Sequence, residues 1–339
     1  MPSSGTEISA FILGGTGYGA GELLRYLVFH PQVKVRQVVS GSAVGEAVET
    51  HHPHLSGFYP ELYFSEKLDL TGERCVIFSS LPHGKSYTAL KEIEAAYPGV
   101  LLIDLSGDLR LRNESEHQNF YQEVPFDGVF RSRFRLSVPE ISPPEDGHIS
   151  NPGCLATAGA LALWPLSNFK IEGTVTVDAK TGTSGAGRLP QANFHHPRRH
   201  ANCEPYKVLS HRHEPEISEL SGVSNLMFVP HILPTSRGIM ATCYLQLADR
   251  LPESEILRRY QEAYAGAKFI RLRETPPSLQ EVIGTNFCDI SVHVRGRQIV
   301  AISVLDNLGK GMAGQAIQNM NIRLGLPEET GLMVPAIGV

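Results

Sequence analysis

The sequence predicts an α/β protein: a parallel sheet with helices on both faces, followed by an α+β domain with a mixed or antiparallel sheet. Three observations carry this. Short apolar runs alternate with helical patterns up to about residue 106, the rhythm of βαβ units. After residue 167 strand-like runs dominate, and the first of them, "GTVTVDAKTG", alternates apolar with polar residues. At 339 residues the chain is too long for one small core and divides into two domains.

In order, "ISAFIL" (8–13) reads as a buried strand and "GAGELLRYLVFH" (19–30) as a helix. "VKVRQVVS" (33–40), "RCVIFSS" (74–80) and "GVLLIDLS" (99–106) read as further strands. Between the last two, "GKSYTALKEIEAAY" (84–97) is a helix with an apolar stripe. A helix over about 154–167 opens the second half. A polar stretch from Gly182 to His213 follows the next strand, rich in Gly, His and Arg and without periodicity. Loops of that length inside compact domains are usually functional or disordered. "LMFVPHIL", "IMATCYLQLA", "DISVHVRG" and "QIVAISVLD" supply the later strands. "LPESEILRRYQEAYAG" (251–266) is an amphipathic helix, and "KGMAGQAIQNMNIRLGL" (310–326) a last helix ending at Gly and Pro.

Hydrophobic residues make up 42% of the chain and charged residues 19%, the composition of an ordinary globular protein. A net charge of −5 does not suggest nucleic-acid binding. Five cysteines without repeating spacing argue against a disulfide framework and fit a reducing cytosol. "MPSSGTEIS" has no basic segment followed by an apolar run, so no signal peptide is expected, and no apolar run is long enough to span a membrane.

"FILGGTGYGAGEL" sets Gly14, Gly17 and Ala20 at the end of a strand and the start of a helix. The spacing G-x-x-G-x-x-A is a variant of the dinucleotide fingerprint, in which glycines allow a tight turn and let a pyrophosphate approach the helix N-terminus. A glycine-rich turn without a ligand is the alternative. The second strand ends "VVSGSAVG" with no acidic residue before Glu46 to hold ribose hydroxyls, so Ser40 and Ser42 are candidates for a 2′-phosphate and NADP is favoured. Both serines also read as plain loop residues.

"SNPGCLATAGALALWPL" (150–166) carries the candidate nucleophile. Asn151 suits an N-cap and Pro152 the first helical position, which would put Cys154 in the first turn. There the backbone N–H groups and the helix dipole favour a thiolate, and the same amides would stabilise an oxyanion on a substrate carbonyl. The alternative is a buried inert thiol. Cys75, Cys243 and Cys288, inside strand-like runs, fit that alternative, and Cys203 lies in the polar stretch.

A thiolate needs a proton donor and acceptor. "SHRHEPEI" offers His211 and His213 with Glu216 close by, and on an extended segment the alternation would point both imidazoles one way and Arg212 the other. "FHHPRRHANC" adds His195, His196, His200 and Cys203, but no pair has a C-x-x-C or H-E-x-x-H spacing, so no metal is expected. Lys180, Arg188, Arg198, Arg199, Lys207 and Arg212 face only Glu204 as an acid before His213, and Arg110 and Arg112 add to them. Such a cluster suits a phosphate or carboxylate, or is a solvated face.

Together these residues resemble the N-acetyl-γ-glutamyl-phosphate reductase family of arginine biosynthesis, within the broader aspartate-semialdehyde dehydrogenase type. The segments that carry the resemblance span nearly the whole chain: "GGTGYGAGEL", "LPHG", "IDLSGDLRL", "NPGC", "DAKTGTSGAGR", "HRHEPEI", "PHILPTSRGI" and "DNLGKGMAGQAIQNMN". It implies a Rossmann-type NADP domain from residues 1–153 completed by 311–339, and a catalytic and dimerisation domain from 154–310. It implies Cys154 as nucleophile and His213 as acid/base, supported by His211 and Glu216. Substrate-binding roles fall on Arg110, Ser184, Gly185 and Tyr206. Cofactor contacts fall on Gly14, Thr16, Gly17, Tyr18, Ser40, Ser42 and Pro82, with Asn307 on the nicotinamide side.

The implied reaction is NADPH-dependent reduction of N-acetyl-γ-glutamyl phosphate through a cysteine thioester, by a cytoplasmic homodimer or homotetramer. The partner is a small acyl phosphate, with no nucleic acid and no membrane. Where the family commonly has Arg after the second strand this chain has Gly41, and where arginine-pathway enzymes often have Tyr after the nucleophile it has Leu155. A carrier-linked α-aminoadipate phosphate reductase of lysine biosynthesis is the alternative within the family. "HHPHLSG" and "FHHPRRH" are similar to that branch, "NPGC" and "TGTSGAGR" to the arginine branch. A non-catalytic dinucleotide-binding sensor, needing no reactive thiol, is the alternative of another class.

Overall fold

The computed structural model describes residues 7–72, 74–121 and 124–338. The segment on which no signal peptide was expected begins with residues 1–6, which lie outside the described residues. The chain divides into two compact units. The first runs through Ser137 and adds Pro143–Asn151 and Ala313–Met333; the second comprises Val138–Ser142, Pro152–Met312 and the chain from Val334.

The first unit is built from β1 (Ile8–Leu13), α1 (Tyr18–Leu27), β2 (Val33–Val39), α2 (Val48–His51), β3 (Phe64–Ser65), β4 (Arg74–Ser79), α3 (Ser86–Ala96), β5 (Leu101–Asp104), α4 (Glu114–Phe120), α5 (Gly128–Arg131), β6 (Phe134–Leu136) and β7 (His148–Ser150). Its seven strands form one sheet in the order β3-β2-β1-β4-β5-β7-β6, parallel throughout, as the βαβ rhythm predicts. The interior strand β1 is buried at every residue. A parallel strand covered on both faces reads as an unbroken apolar run, which "ISAFIL" nearly is.

The second unit holds α6 (Cys154–Leu163), β8 (Ile171–Thr181), α7 (His196–Arg199), β9 (Glu204–Pro205), α8 (His213–Ser221), β10 (Leu226–Ile232), β11 (Ile239–Leu247), α9 (Glu253–Ala263), β12 (Ile270–Leu272), β13 (Cys288–Arg295) and β14 (Gln298–Leu305). The strand order is β12-β13-β14-β11-β8-β10-β9. The sheet is mixed: β8 with β10 and β12 with β13 run parallel, and the other pairs antiparallel. Every residue of α6 after Cys154 is buried. A helix apolar all round belongs in a core, and α6 lies between this sheet and α8. Ser303 donates to the Ala158 carbonyl at 2.6 Å and the Tyr260 hydroxyl to that of Ala162 at 2.6 Å. At Gly159 a methyl group would stand 3.0 Å from Ile217 Cδ1, so the Ile217 side chain of α8 packs directly on the α6 backbone.

The polar stretch 182–213 is not structureless. It contains short helical turns at Thr183–Ala186 and Ala192–Phe194 besides α7 and β9. The last helix begins later than its sequence pattern predicts: Gly309–Ala313 is a π-helical turn, and α10 spans Gly314–Arg323 in the first unit. Two of its buried asparagines bond within that unit. Asn319 donates to the Ser137 carbonyl at 3.1 Å and accepts from its hydroxyl at 2.8 Å, while Asn321 bonds His30 at 2.9 Å.

Candidate active site

The cap of α6 departs from expectation. Asn151 is not the N-cap: its N–H donates to the Asp104 carbonyl at 2.7 Å, and its own carbonyl accepts from Arg110 Nε at 2.9 Å. Those bonds hold Asn151 in the first unit's sheet, so the helix starts further on. Gly153 is the N-cap, extended at φ −67° and ψ 147°, and Cys154 rather than Pro152 is the first helical residue. Gly153 has no side chain to cap with; instead the buried Glu216 carboxylate accepts its N–H at 2.8 Å. Cys154 is half-buried and stands in the first turn, whose amides have no intrahelical acceptor.

His211 and His213 also depart from the extended segment expected for them. Arg212 is αR at φ −57°, and His213 opens α8. Pro215 is tolerated so near a helix start, and the acidic Glu214 and Glu216 favour one. The two imidazoles still meet, with ring centroids 4.6 Å apart. His211 Nδ1 accepts the His213 backbone N–H at 3.1 Å, which requires that Nδ1 to be unprotonated. Edge contacts with Tyr206 and Phe228 complete the setting of His211.

Two glycines leave room for the His213 imidazole and for Cys154. A Cβ on Gly153 would lie 2.0 Å from His213 Nε2, and one on Gly311 2.7 Å from Cys154 Cβ. Imidazole and thiol-bearing residue are thus packed on adjacent backbone. Gly153→Ala is expected to lower kcat by about 100-fold, because displacement of a reacting group by about 1 Å costs that much. Steady-state turnover with a thermal melt checks it; full turnover in a folded variant would mean that this close approach is dispensable.

Burial pushes the Tyr206 hydroxyl above its ordinary pKa, the nearby Cys154 sulfur adds to this, and Arg212 opposes it. Cys75, Cys243 and Cys288 have thiol pKa values raised by burial, as inert cysteines do, and Cys203 is exposed. Leu155 is buried in the core, so the residue after Cys154 does not face an open surface.

Around this centre the second unit ties three loops together. The main chain of Gly182–Ser184 bonds that of Thr235, Ser236 and Gly238. Asn307 accepts the Gly238 N–H at 2.8 Å and donates to Ser184 Oγ at 2.8 Å, while Gly185 is exposed beside them. Arg237 grips the buried Asp306 with Nε and Nη2, and Asp306 also accepts N–H groups from Gly284, Leu308 and Gly309. Lys310 is fully buried against Glu140, with Nζ 2.7 and 2.9 Å from its two oxygens. Sequence reasoning assigned no role to Arg237, Asp306, Lys310 or Glu140. Only a charge inside an apolar or glycine-rich run hinted at them.

The cationic stretch is less cationic than its composition suggests. Arg198 and Arg199 both pair with Glu204, and Lys180 pairs with Asp178. Arg110 is buried, with its second donor on the Leu105 carbonyl at 3.0 Å. Arg112 is exposed. Among the described residues no three His, Cys, Asp or Glu side chains converge to hold a metal, and no helix is long and apolar enough to cross a membrane.

In the first unit, the glycine turn is shaped for close approach. Gly14 has φ +76°, and a Cβ there would stand 2.6 Å from the Ser80 carbonyl oxygen. Gly17 caps α1 without a side-chain bond, leaving the helix N-terminus to a ligand anion. Thr16 is half-buried, Tyr18 43% exposed and Pro82 exposed. Ser40 is buried and Ser42 exposed, with hydroxyls 3.2 Å apart, and no atom lies within 4 Å of a Cβ at Gly41. The turn and helix end fit a dinucleotide pyrophosphate, and of the serine pair Ser42 is exposed to a ribose substituent.

Known proteins match this arrangement over nearly its whole length. Residues 9–147 match the family described as "Semialdehyde dehydrogenase, NAD binding domain", and residues 154–307 "Semialdehyde dehydrogenase, dimerisation domain". An N-acetyl-gamma-glutamyl-phosphate reductase of Methanosarcina barkeri is 39% identical, over 97% of this chain and 99% of its own. Its namesake from Brevibacillus brevis is 38% identical over 96% and 98%. Among solved structures, aspartate semialdehyde dehydrogenase of Candida albicans with NADP superposes with a TM-score of 0.71 at 15% identity, covering 94% of this chain and 98% of that one. Aspartate semialdehyde dehydrogenase II of Vibrio cholerae does so at 0.70 and 16%, covering 95% and 99%. At such identities the structures bear on the fold alone.

Proposed function

This chain belongs to the N-acetyl-γ-glutamyl-phosphate reductases of the semialdehyde dehydrogenase family, and on that premise we propose that it reduces N-acetyl-γ-glutamyl phosphate to N-acetylglutamate semialdehyde, with NADPH as reductant. The observation that carries the reading is Cys154 on the first turn of α6, with the His213 imidazole packed against the preceding Gly153.

Cys154 Sγ attacks the acyl carbon. The first-turn amides of α6 take up the charge on the carbonyl oxygen, phosphate leaves, and a thioester remains on the sulfur. A carboxylate resists such attack; an acyl phosphate does not, and its thioester is a ready hydride acceptor. The dinucleotide, when bound, supplies that hydride. His213 holds the accompanying proton at the carbonyl oxygen, giving a thiohemiacetal, and takes it back as the C–S bond breaks to release aldehyde and thiolate. His211 orients His213 through its backbone N–H, and Glu216 orients the Gly153 peptide.

Tyr206, near the sulfur, and Ser184 with Gly185, in the loop tied to Asn307, are assigned to the substrate. Arg110 is assigned to the substrate as well, and its Nε donates to the Asn151 carbonyl. Gly14, Thr16, Gly17, Tyr18 and Pro82 are assigned to the dinucleotide, and Ser40 and Ser42 to its 2′-phosphate. Asn307, whose carboxamide already binds Gly238 and Ser184, contributes by shaping its loop. The protein is read as a cytosolic homodimer or homotetramer.

The reverse reaction tests the reading. With phosphate and NADP, N-acetylglutamate semialdehyde is expected to give phosphate-dependent NADPH absorbance, with kcat/KM about 100-fold above that for carrier-bound α-aminoadipate semialdehyde. Preference for the carrier-bound aldehyde would move the chain to the lysine branch, and no phosphate-dependent signal from either would overturn the reading.

A further inference from the structure

The segment "HHPHLSG" (51–57) takes no part in the chemistry above, yet one of its histidines is built into the glycine turn. His52 is buried, 3% exposed, and its Nε2 lies 2.7 Å from the Gly15 carbonyl oxygen. A carbonyl only accepts, so Nε2 carries the proton. The ring fills the space beside Gly21 on α1, where a Cβ would meet Nδ1 at 2.6 Å. The backbone of His52 is fixed as well, its N–H donating to Val48 at 3.0 Å and its carbonyl accepting from Leu55 at 2.8 Å; both of those side chains are buried. A Cβ on Gly15 would stand 2.2 Å from Val38 Cγ1, and the Gly15 N–H donates to the Val39 carbonyl at 3.0 Å. The Gly15 peptide is therefore clamped between β2 and an imidazole.

We propose that His52 is a positioning residue for the dinucleotide, an inference that rests on the dinucleotide reading given above. The Gly15 carbonyl and the Thr16 N–H belong to one planar trans peptide and point in opposite directions. Holding the carbonyl on His52 aims the Thr16 N–H away from the imidazole, the orientation that a pyrophosphate on the turn requires. Gly21 and His52 form a matched pair, since the ring takes the place of a side chain on α1.

The test uses the full chain, with NADPH affinity from nucleotide-fluorescence titration beside steady-state kinetics and a thermal melt. His52→Phe keeps a ring and removes the donor. It is expected to raise both the Kd and the KM for NADPH about ten-fold, as loss of one well-directed hydrogen bond would, with kcat and the acyl-phosphate KM unchanged. His52→Gln, whose amide can still donate to Gly15, is expected to recover most of the affinity. Unchanged NADPH Kd in a folded His52→Phe, with or without a lowered melting temperature, overturns the proposal, and so does equal loss in the Phe and Gln variants. If the Phe variant does not fold, His52→Asn decides in its place: its amide is too short to reach Gly15, so an unchanged Kd there overturns the proposal and a raised one supports it. Failure of the unaltered protein to bind NADPH would instead overturn the dinucleotide reading itself.

Discussion

Replacing Cys154 by Ser is expected to lower turnover on the order of ten-thousand-fold or more, while NADPH affinity and melting temperature stay near those of the unaltered protein. The substitution exchanges one atom at a half-buried position, so packing scarcely changes. The chemistry changes because a helix N-terminus can hold a thiolate near neutral pH but cannot ionise an aliphatic hydroxyl. Single-turnover kinetics with the acyl phosphate would show no phosphate burst, because the first bond to sulfur never forms. Retention of turnover within about ten-fold would end the case for covalent catalysis at Cys154.

The second large effect falls on stability. Lys310→Met is expected to destabilise the fold by about 3–5 kcal/mol, the usual consequence of leaving one member of a buried ion pair without its partner. Here both side chains are buried, at 0% and 2% exposure, and the ammonium lies 5.8 Å from the Phe269 ring. The double variant Lys310→Met/Glu140→Leu is expected to regain most of the loss, since an apolar pair needs no solvation. Urea midpoints for the two single variants and the double variant test this. A mild single variant would show that water reaches Glu140. Activity is expected to fall with Lys310→Met too, because Gly311, its neighbour in sequence, packs directly on Cys154.

How much of this was legible in the sequence depends on how local the cause is. The run "ISAFIL" announces β1 because its burial leaves no polar face to blur the pattern. β3, two residues long, carries no pattern at all. The cap of α6 was misplaced because Asn151 and Pro152 are good capping residues in isolation, whereas tertiary bonds to Asp104 and Arg110 claim the Asn151 backbone. The helix at His213 was missed through attention to the H-R-H alternation, although Pro215 and the two glutamates beside it are helix-start signals. Cys154, His211, His213 and Glu216 could be found as chemical types close in sequence or in a cap. The pairing of Lys310 with Glu140, 170 positions apart, has no local trace.

Glu216 lies in the first turn of the helix that begins at His213, and it holds the amide just before Cys154. The residues proposed as nucleophile and proton carrier are therefore tied to each other through α6 and α8. On the proposed reading such a pair is expected to be portable: lengthening, recharging or exchanging the loops at 182–187 and 235–238 is expected to leave sulfur in register with imidazole. Redirecting this scaffold to a longer or carrier-borne substrate calls for loop grafting, and for leaving the α6–α8 contact at Gly159 and Ile217 untouched.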